Sequence, residues 1–165
     1  MSRSSYSDEF GEDFPGQLDL FRANVRRSIR GKAGQARLRE LRDALLGLPI
    51  RSLEAGTFAG GTPEAPKVCA LGAWALNKQG GDPGAANSML GVVDADDHET
   101  AVALSKHGWP RLVVLEAVYT NDDGNYGRET PEQRYARVMA WVEGEIIDER
   151  ASVPVVAGLG VDDRT

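Results

Sequence analysis

The side chains with the most obvious chemistry in this 165-residue chain are a run of cations near its start. Arg22, Arg26, Arg27, Arg30, Lys32, Arg37, Arg39 and Arg42 fall within 21 residues of one another. Arginine presents a planar fork of donors that grips carboxylates and phosphates in pairs. Arg22, Arg26 and Arg30 recur every fourth residue, which sets them along one side of a helix. The basic block thus fits either an acidic protein surface or a nucleic-acid backbone. Its bland alternative is a solvated helical face, already neutralised in part by Asp19, Glu40 and Asp43. Aromatic interleaving is poor, with only Phe21 nearby, so base stacking has no support here.

A second cluster lies at 121–132. Asn121, Asp123, Asn125, Glu129 and Glu132 occupy positions 1, 3, 5, 9 and 12 of a loop spaced like the calcium loop of an EF-hand. The departures weigh against calcium. Position 6, which needs glycine for the sharp turn, is Tyr126; position 8 is Arg128; Pro131 falls inside the loop. A polar turn between two helices is the preferred reading, and no metal is assigned.

Other candidates fare worse. Cys69 would need a histidine base and an orienting group to act as a nucleophile, and no signature links it to His98 or His107. Asp96-Asp97 and Asp122-Asp123 read as helix-start and turn residues. The glycines form no nucleotide-binding fingerprint, so no cofactor is expected. Arg30-Gly31-Lys32-Ala33-Gly34 is a basic glycine turn with room for one anion. Trp74, Trp109 and Trp141 each sit in an apolar pattern that predicts core packing, with a ligand pocket as the alternative. Nucleophile, base and orienter never occur together, so an enzyme is not expected.

These residues need elements to hold them. Leu18, Phe21, Val25 and Ile29 form the apolar stripe of one helix, opening after Pro15. Leu38, Leu41, Leu45 and Leu48 form that of a second, stopped by Pro49. Together they predict an antiparallel helical pair joined near Gly31–Gly34. Strand candidates at 52–58 and 67–71 predict a small hairpin that runs into a helix at 71–78. Further helices are predicted at 85–93 and 96–107. Trp109-Pro110 opens another, ending at Val118 or Tyr119, dense enough in apolar residues to be central to the core. Thr130-Pro131-Glu132-Gln133 is a capping box and the clearest helix start in the chain. Its stripe is Tyr135, Val138, Met139, Val142 and Ile146. The expected class is mainly α (α+β): a single helical domain over 15–149, with a flexible acidic arm at 1–14 and a loose tail at 150–165.

Composition sets the outer limits. The formal net charge is −6, but it is unevenly spread. Residues 15–50 carry eight basic side chains against three acids, whereas 51–165 carry ten against eighteen. One cysteine excludes an internal disulfide. Two histidines and one cysteine leave too few ligands for structural zinc. No apolar run is long enough to cross a membrane, and the start lacks a secretory signal. A cytoplasmic protein is expected.

Residues 6–48, together with the run Val68-Cys69-Ala70-Leu71-Gly72-Ala73 and the closing Thr130-Pro131-Glu132-Gln133-Arg134-Tyr135, resemble a family of uncharacterised small proteins encoded by bacteriophages and prophages. The cysteine run and a later Asn-Asp before a capped helix are also similar to a broader group of small bacterial proteins. The resemblance implies an origin in a bacterial host and supplies no catalytic residues. It favours an accessory protein that binds a host or phage protein, for instance to inhibit a defence system. The partner-binding residues would be Arg22, Arg26, Arg27, Arg30, Lys32, Arg37 and Arg42. Nucleic-acid binding through the same residues, or a small-ligand or calcium module at 121–132, are the alternatives.

Overall fold

The computed structural model of the protein describes residues 16–91, 95–122 and 128–148. The acidic arm, Pro15 and the tail at 150–165 lie outside them. Within the described residues the chain is mainly helical with one small antiparallel hairpin. Its elements are α1 (Gln17–Arg30), α2 (Lys32–Leu46), β1 (Ala59–Gly61), β2 (Pro66–Val68), α3 (Ala70–Lys78), α4 (Pro83–Ser88), α5 (Asp97–Ser105), α6 (Arg111–Asp122) and α7 (Pro131–Glu145).

The helical pair forms, but its joint is tighter than the glycine pattern predicts. Gly31 alone separates the two helices, in extended conformation. Gly34 is not part of the turn. It lies in the first turn of α2, where a Cβ would sit 2.1 Å from the Ser28 carbonyl oxygen and 2.7 Å from that of Ile29. Glycine is needed because α2 starts in direct contact with the end of α1. Gln35 locks the corner: its Nε2 donates to the Ile29 carbonyl at 3.0 Å and to that of Glu145 at 2.8 Å. Its Oε1 accepts from the Ile147 N–H at 2.8 Å.

The core is built around α3, where every residue from Ala70 to Leu76 is buried. The helix predicted to be central, now α6, packs beside it and buries Val113, Val114 and Ala117 while Leu112, Leu115 and Val118 are only half-covered. The small side chains Ala70, Gly72, Ala73 and Ala75 let neighbours approach α3 closely. That outweighs the larger apolar area of α6. Leu38, Leu41 and Leu45 of α2 and Val138 and Val142 of α7 close the core. Trp74 and Trp109 are both 2% exposed and meet edge to face, centroids 5.4 Å apart, an arrangement favoured by the ring quadrupole. They fill the core, and Trp141 is half-buried against it.

The hairpin sits later than predicted. Ala59 pairs with Val68, Gly60 with Lys67 and Gly61 with Pro66. Residues 52–58, read as the first strand, run instead as a bent, irregular segment pinned in three places. The Leu53 N–H donates to Pro131, the Glu54 N–H to Val68, and the Cys69 N–H to Thr57. Gly61 adopts φ +79° to enter the turn that closes the hairpin.

The capping box of α7 forms as read: Thr130 Oγ1 accepts from Gln133 N–H and Gln133 Oε1 from Thr130 N–H. A second box, Asp96 with Glu99, opens α5. Among the described residues no helix is long and apolar enough to cross a membrane.

Candidate functional site

The structure divides the basic block into two parts. On α2 the cations are committed internally. Arg37 Nη1 lies 2.6 Å from Glu40 Oε2, and its Nε donates to the Gly108 carbonyl. Arg39 donates to the Ile147 carbonyl at 2.9 Å, and Arg42 pairs with the adjacent Asp43. On α1 and at the start of α2 the reverse holds. Arg26, Arg27, Arg30 and Lys32 are exposed and Arg22 is half-buried. None of the five makes a side-chain hydrogen bond or ion pair with another described residue. The helix sets Val25 and Ile29 inward and leaves Arg26, Arg27 and Arg30 exposed; Leu20, on the same helix, is 63% exposed. The basic glycine turn is closed: the Gly31 N–H already donates to the Arg27 carbonyl.

Glu40 is a hub that joins Arg37 of α2 to Trp74 and Lys78 of α3. One oxygen accepts from Arg37, from Trp74 Nε1 at 2.9 Å and from Lys78 at 3.1 Å. Burial pushes its carboxyl up, but the hydrogen bonds from Trp74, Lys78 and Arg37 and the Arg37 charge outweigh that, leaving it below the usual 4.5. A depressed folded-state pKa contributes stability above the unfolded value that is lost as pH falls through the folded one. Acid titration of stability should therefore be steeper below about pH 4.5 in the wild type than in Glu40→Gln. Urea midpoints measured from pH 3 to 7 would show it, and identical profiles would remove Glu40 from that role.

Of the residues read as calcium ligands at 121–132, the structure describes Asn121, Glu129 and Glu132. Asn121 and Asp122 belong to α6, which runs on past the predicted end because both side chains find partners there. Asn121 Oδ1 accepts from the Ala70 N–H at 3.0 Å, and its Nδ2 donates to the Glu54 carbonyl and to Asp122 Oδ1. Glu129 spends both oxygens on Arg137, at 2.7 and 2.8 Å, with Arg134 Nε 3.6 Å away. The Arg137 hydrogen bonds, against a smaller effect of burial, hold the Glu129 carboxyl below its usual range. Arg137 also donates to the Thr120 and Asn121 carbonyls, and Arg134 to that of Leu53. Glu132 is exposed in the first turn of α7, its carboxyl lowered by its own backbone N–H and by Thr130. Asp123 and Asn125 lie outside the described residues. Asn121 and Glu129 are thus fasteners: Asn121 ties α6 to α3 and to Glu54, and Glu129 holds Arg137 of α7.

Two motifs far apart in sequence meet at this junction. The Val68–Ala73 run and the Asn121-Asp122 pair are joined by the Asn121–Ala70 bond. Beside them a cleft of about 90 Å³ is lined by Gly56, Cys69, Asp97, Thr100 and Asp122, among others. Cys69 caps α3, its sulfur accepting from the Gly72 N–H at 3.4 Å. Burial pushes its thiol up to about 12, so it stays protonated at neutral pH. Neither histidine lines the cleft: His98 lies against Arg111, and His107 is edge-on to Trp74. Among the described residues no three of His, Cys, Asp and Glu converge as metal ligands. Sequence reading missed this cleft because Asp97 and Asp122 were read only as helix-start and turn residues.

No protein-family model matches the chain, and neither does any curated protein or solved structure.

Proposed function

We propose that this protein works by binding another macromolecule, and that the surface it uses is the outer face of α1. The observation that carries the proposal is the division of the cations: Arg37 and Arg39 are held by distant parts of the fold and Arg42 by the adjacent Asp43, whereas Arg22, Arg26, Arg27, Arg30 and Lys32 make no side-chain hydrogen bond or ion pair with another described residue. Holding several like charges on one helical face repels, and an acidic partner relieves that repulsion. A protein partner is favoured over nucleic acid by Leu20. Leu20, exposed on the same helix, adds an apolar contact that a protein interface can bury, and the net charge of −6 opposes approach to a polyanion. The resemblance to phage-encoded proteins makes a protein of the bacterial cytoplasm the natural target, inhibition of a defence enzyme being one such role.

The triple variant Arg26→Glu/Arg27→Glu/Arg30→Glu tests this. All three positions are exposed, so each change should alter stability by no more than about 0.5 kcal/mol. Affinity capture from a bacterial lysate should recover a stoichiometric partner with the wild type, and the variant should bind that purified partner at least about tenfold more weakly. Unaltered affinity in the variant would sink the proposal. Duplex DNA binding whose logarithm falls steeply with the logarithm of salt would transfer the same face to the nucleic-acid reading.

A further inference from the structure

A second surface, independent of the basic face, lies where α2 ends. The end of α2, the turn of the β1–β2 hairpin and the end of α3 enclose a pocket of about 160 Å³. Ala44, Leu48, Pro49, Pro63, Ala73 and Leu76 give it apolar walls, and no charged residue lines it. A space of that size takes an apolar group about as large as benzene. Leu46 and Ile50 flank the 47–49 stretch at its edge and are 51% and 47% exposed. Single exposed apolar side chains are ordinary, but next to an apolar pocket they extend it into a patch that a partner can cover. The course of the chain points to what covers it. Ile147 is fastened along α2: its N–H donates to Gln35 Oε1 and its carbonyl accepts from Arg39. Ala44 and Gly47 lie five and eight residues beyond Arg39, which places the pocket about 8–12 Å further along the helix. The sequence then continues through 151–161 as Ala-Ser-Val-Pro-Val-Val-Ala-Gly-Leu-Gly-Val, without one charged residue.

We propose that the 151–161 run of the same chain docks on this patch, with Val153, Val155 and Val156 filling the pocket and the run covering Leu46 and Ile50. Reach permits it. Val153 is six residues past Ile147, and six residues of extended chain span about 20 Å. The chemistry matches on both sides: an uncharged apolar run meets an uncharged apolar lining, and water leaves both. Tethering decides between this occupant and a second copy. A segment joined to the fold by so short a connection is present at an effective concentration in the millimolar range, far above that of a free chain in dilute solution. The docked run would extend the core past the end of α7 and tie the hairpin turn to α2 and α3.

Methyl-labelled full-length protein tests the assignment. Nuclear Overhauser cross-peaks should join the methyls of Val153, Val155 and Val156 to those of Leu48 and Leu76. In a mixture of labelled and unlabelled chains, isotope-filtered spectra should lack these cross-peaks, because the contact lies within one chain. The double variant Val155→Asp/Val156→Asp sets two charges against an apolar lining. It should abolish the cross-peaks and lower the melting temperature by about 3–6 °C. Asp163→Asn, beyond the apolar run, should leave the melting temperature within about 1 °C of wild type. Cross-peaks found only between chains would give the pocket to a second copy and overturn the proposal. Their absence would overturn it too and leave the patch to a different protein. A melting temperature unmoved by the double variant would do the same.

Discussion

Gly72→Ala is expected to cost about 4 kcal/mol or more, enough to leave much of the protein unfolded at room temperature. An added Cβ would lie 1.6 Å from the Phe58 carbonyl oxygen and 2.7 Å from its carbon. Those atoms are backbone, held by the Cys69 N–H and by the hairpin that begins at the next residue. They cannot rotate away as a side chain would. The substitution must push β1 off α3, at the centre of the core. Gly144→Ala supplies the opposite case. It too lies within a helix, yet nothing stands within 4 Å of its new Cβ. Alanine there should stabilise the protein by about 0.5–1 kcal/mol. Equilibrium urea unfolding of both variants would compare them. A Gly72→Ala protein within about 1 kcal/mol of wild type would refute the packing argument.

Asn121→Ala should lower stability by about 2–6 kcal/mol, twice the cost of orphaning one buried polar group. Asn121 is 1% exposed. Ala70 is the first residue of α3, so its N–H has no partner within the helix. The amide oxygen of Asn121 supplies that partner from a helix 51 residues away, while its nitrogen satisfies the Glu54 carbonyl at 2.8 Å. Truncation strands both groups in a place water cannot easily reach. Asn121→Asp separates the two: it retains an acceptor for Ala70 but loses the donor and sets a second charge beside Asp122. It should be destabilised at neutral pH and recover partly in mild acid. A midpoint shift with unchanged urea slope is the expected signature. A loss below about 0.5 kcal/mol in Asn121→Ala would show that the junction is solvated.

The types of most elements could be read directly from periodicity and punctuation. The stripe of α2, the stop at Pro49 and the capping box at Thr130 are local signals, and the fold keeps them. What could not be read depends on distant partners. Gly34 looks like a helix breaker in sequence; in the fold it is helical and selected by contact with α1. The 53–58 segment has the alternation of a strand, but its hydrogen bonds go to Pro131 and Val68, and the pairing falls on 59–61. The arginines of α1 and α2 are indistinguishable by spacing. They differ because the carbonyls of Gly108 and Ile147 arrive beside Arg37 and Arg39 from 71 and 108 residues away. The same holds for the cleft: neither Asp97 nor Asp122 has a local pattern that announces the other.

The clasp made by Gln35 bears on the order in which the molecule can assemble. The corner between α1 and α2 consists of near neighbours in sequence and can form early. The side chain that locks it must also receive the Glu145 carbonyl, 110 residues later, and the Ile147 amide, 112 residues later. Closing so long a loop is entropically slow and comes near the end of folding. On the ribosome, α1 emerges with its cations exposed well before those partners have been synthesised. Its basic face is thus available early as a charged helix, but acquires its final setting only when the last described turn of the chain arrives.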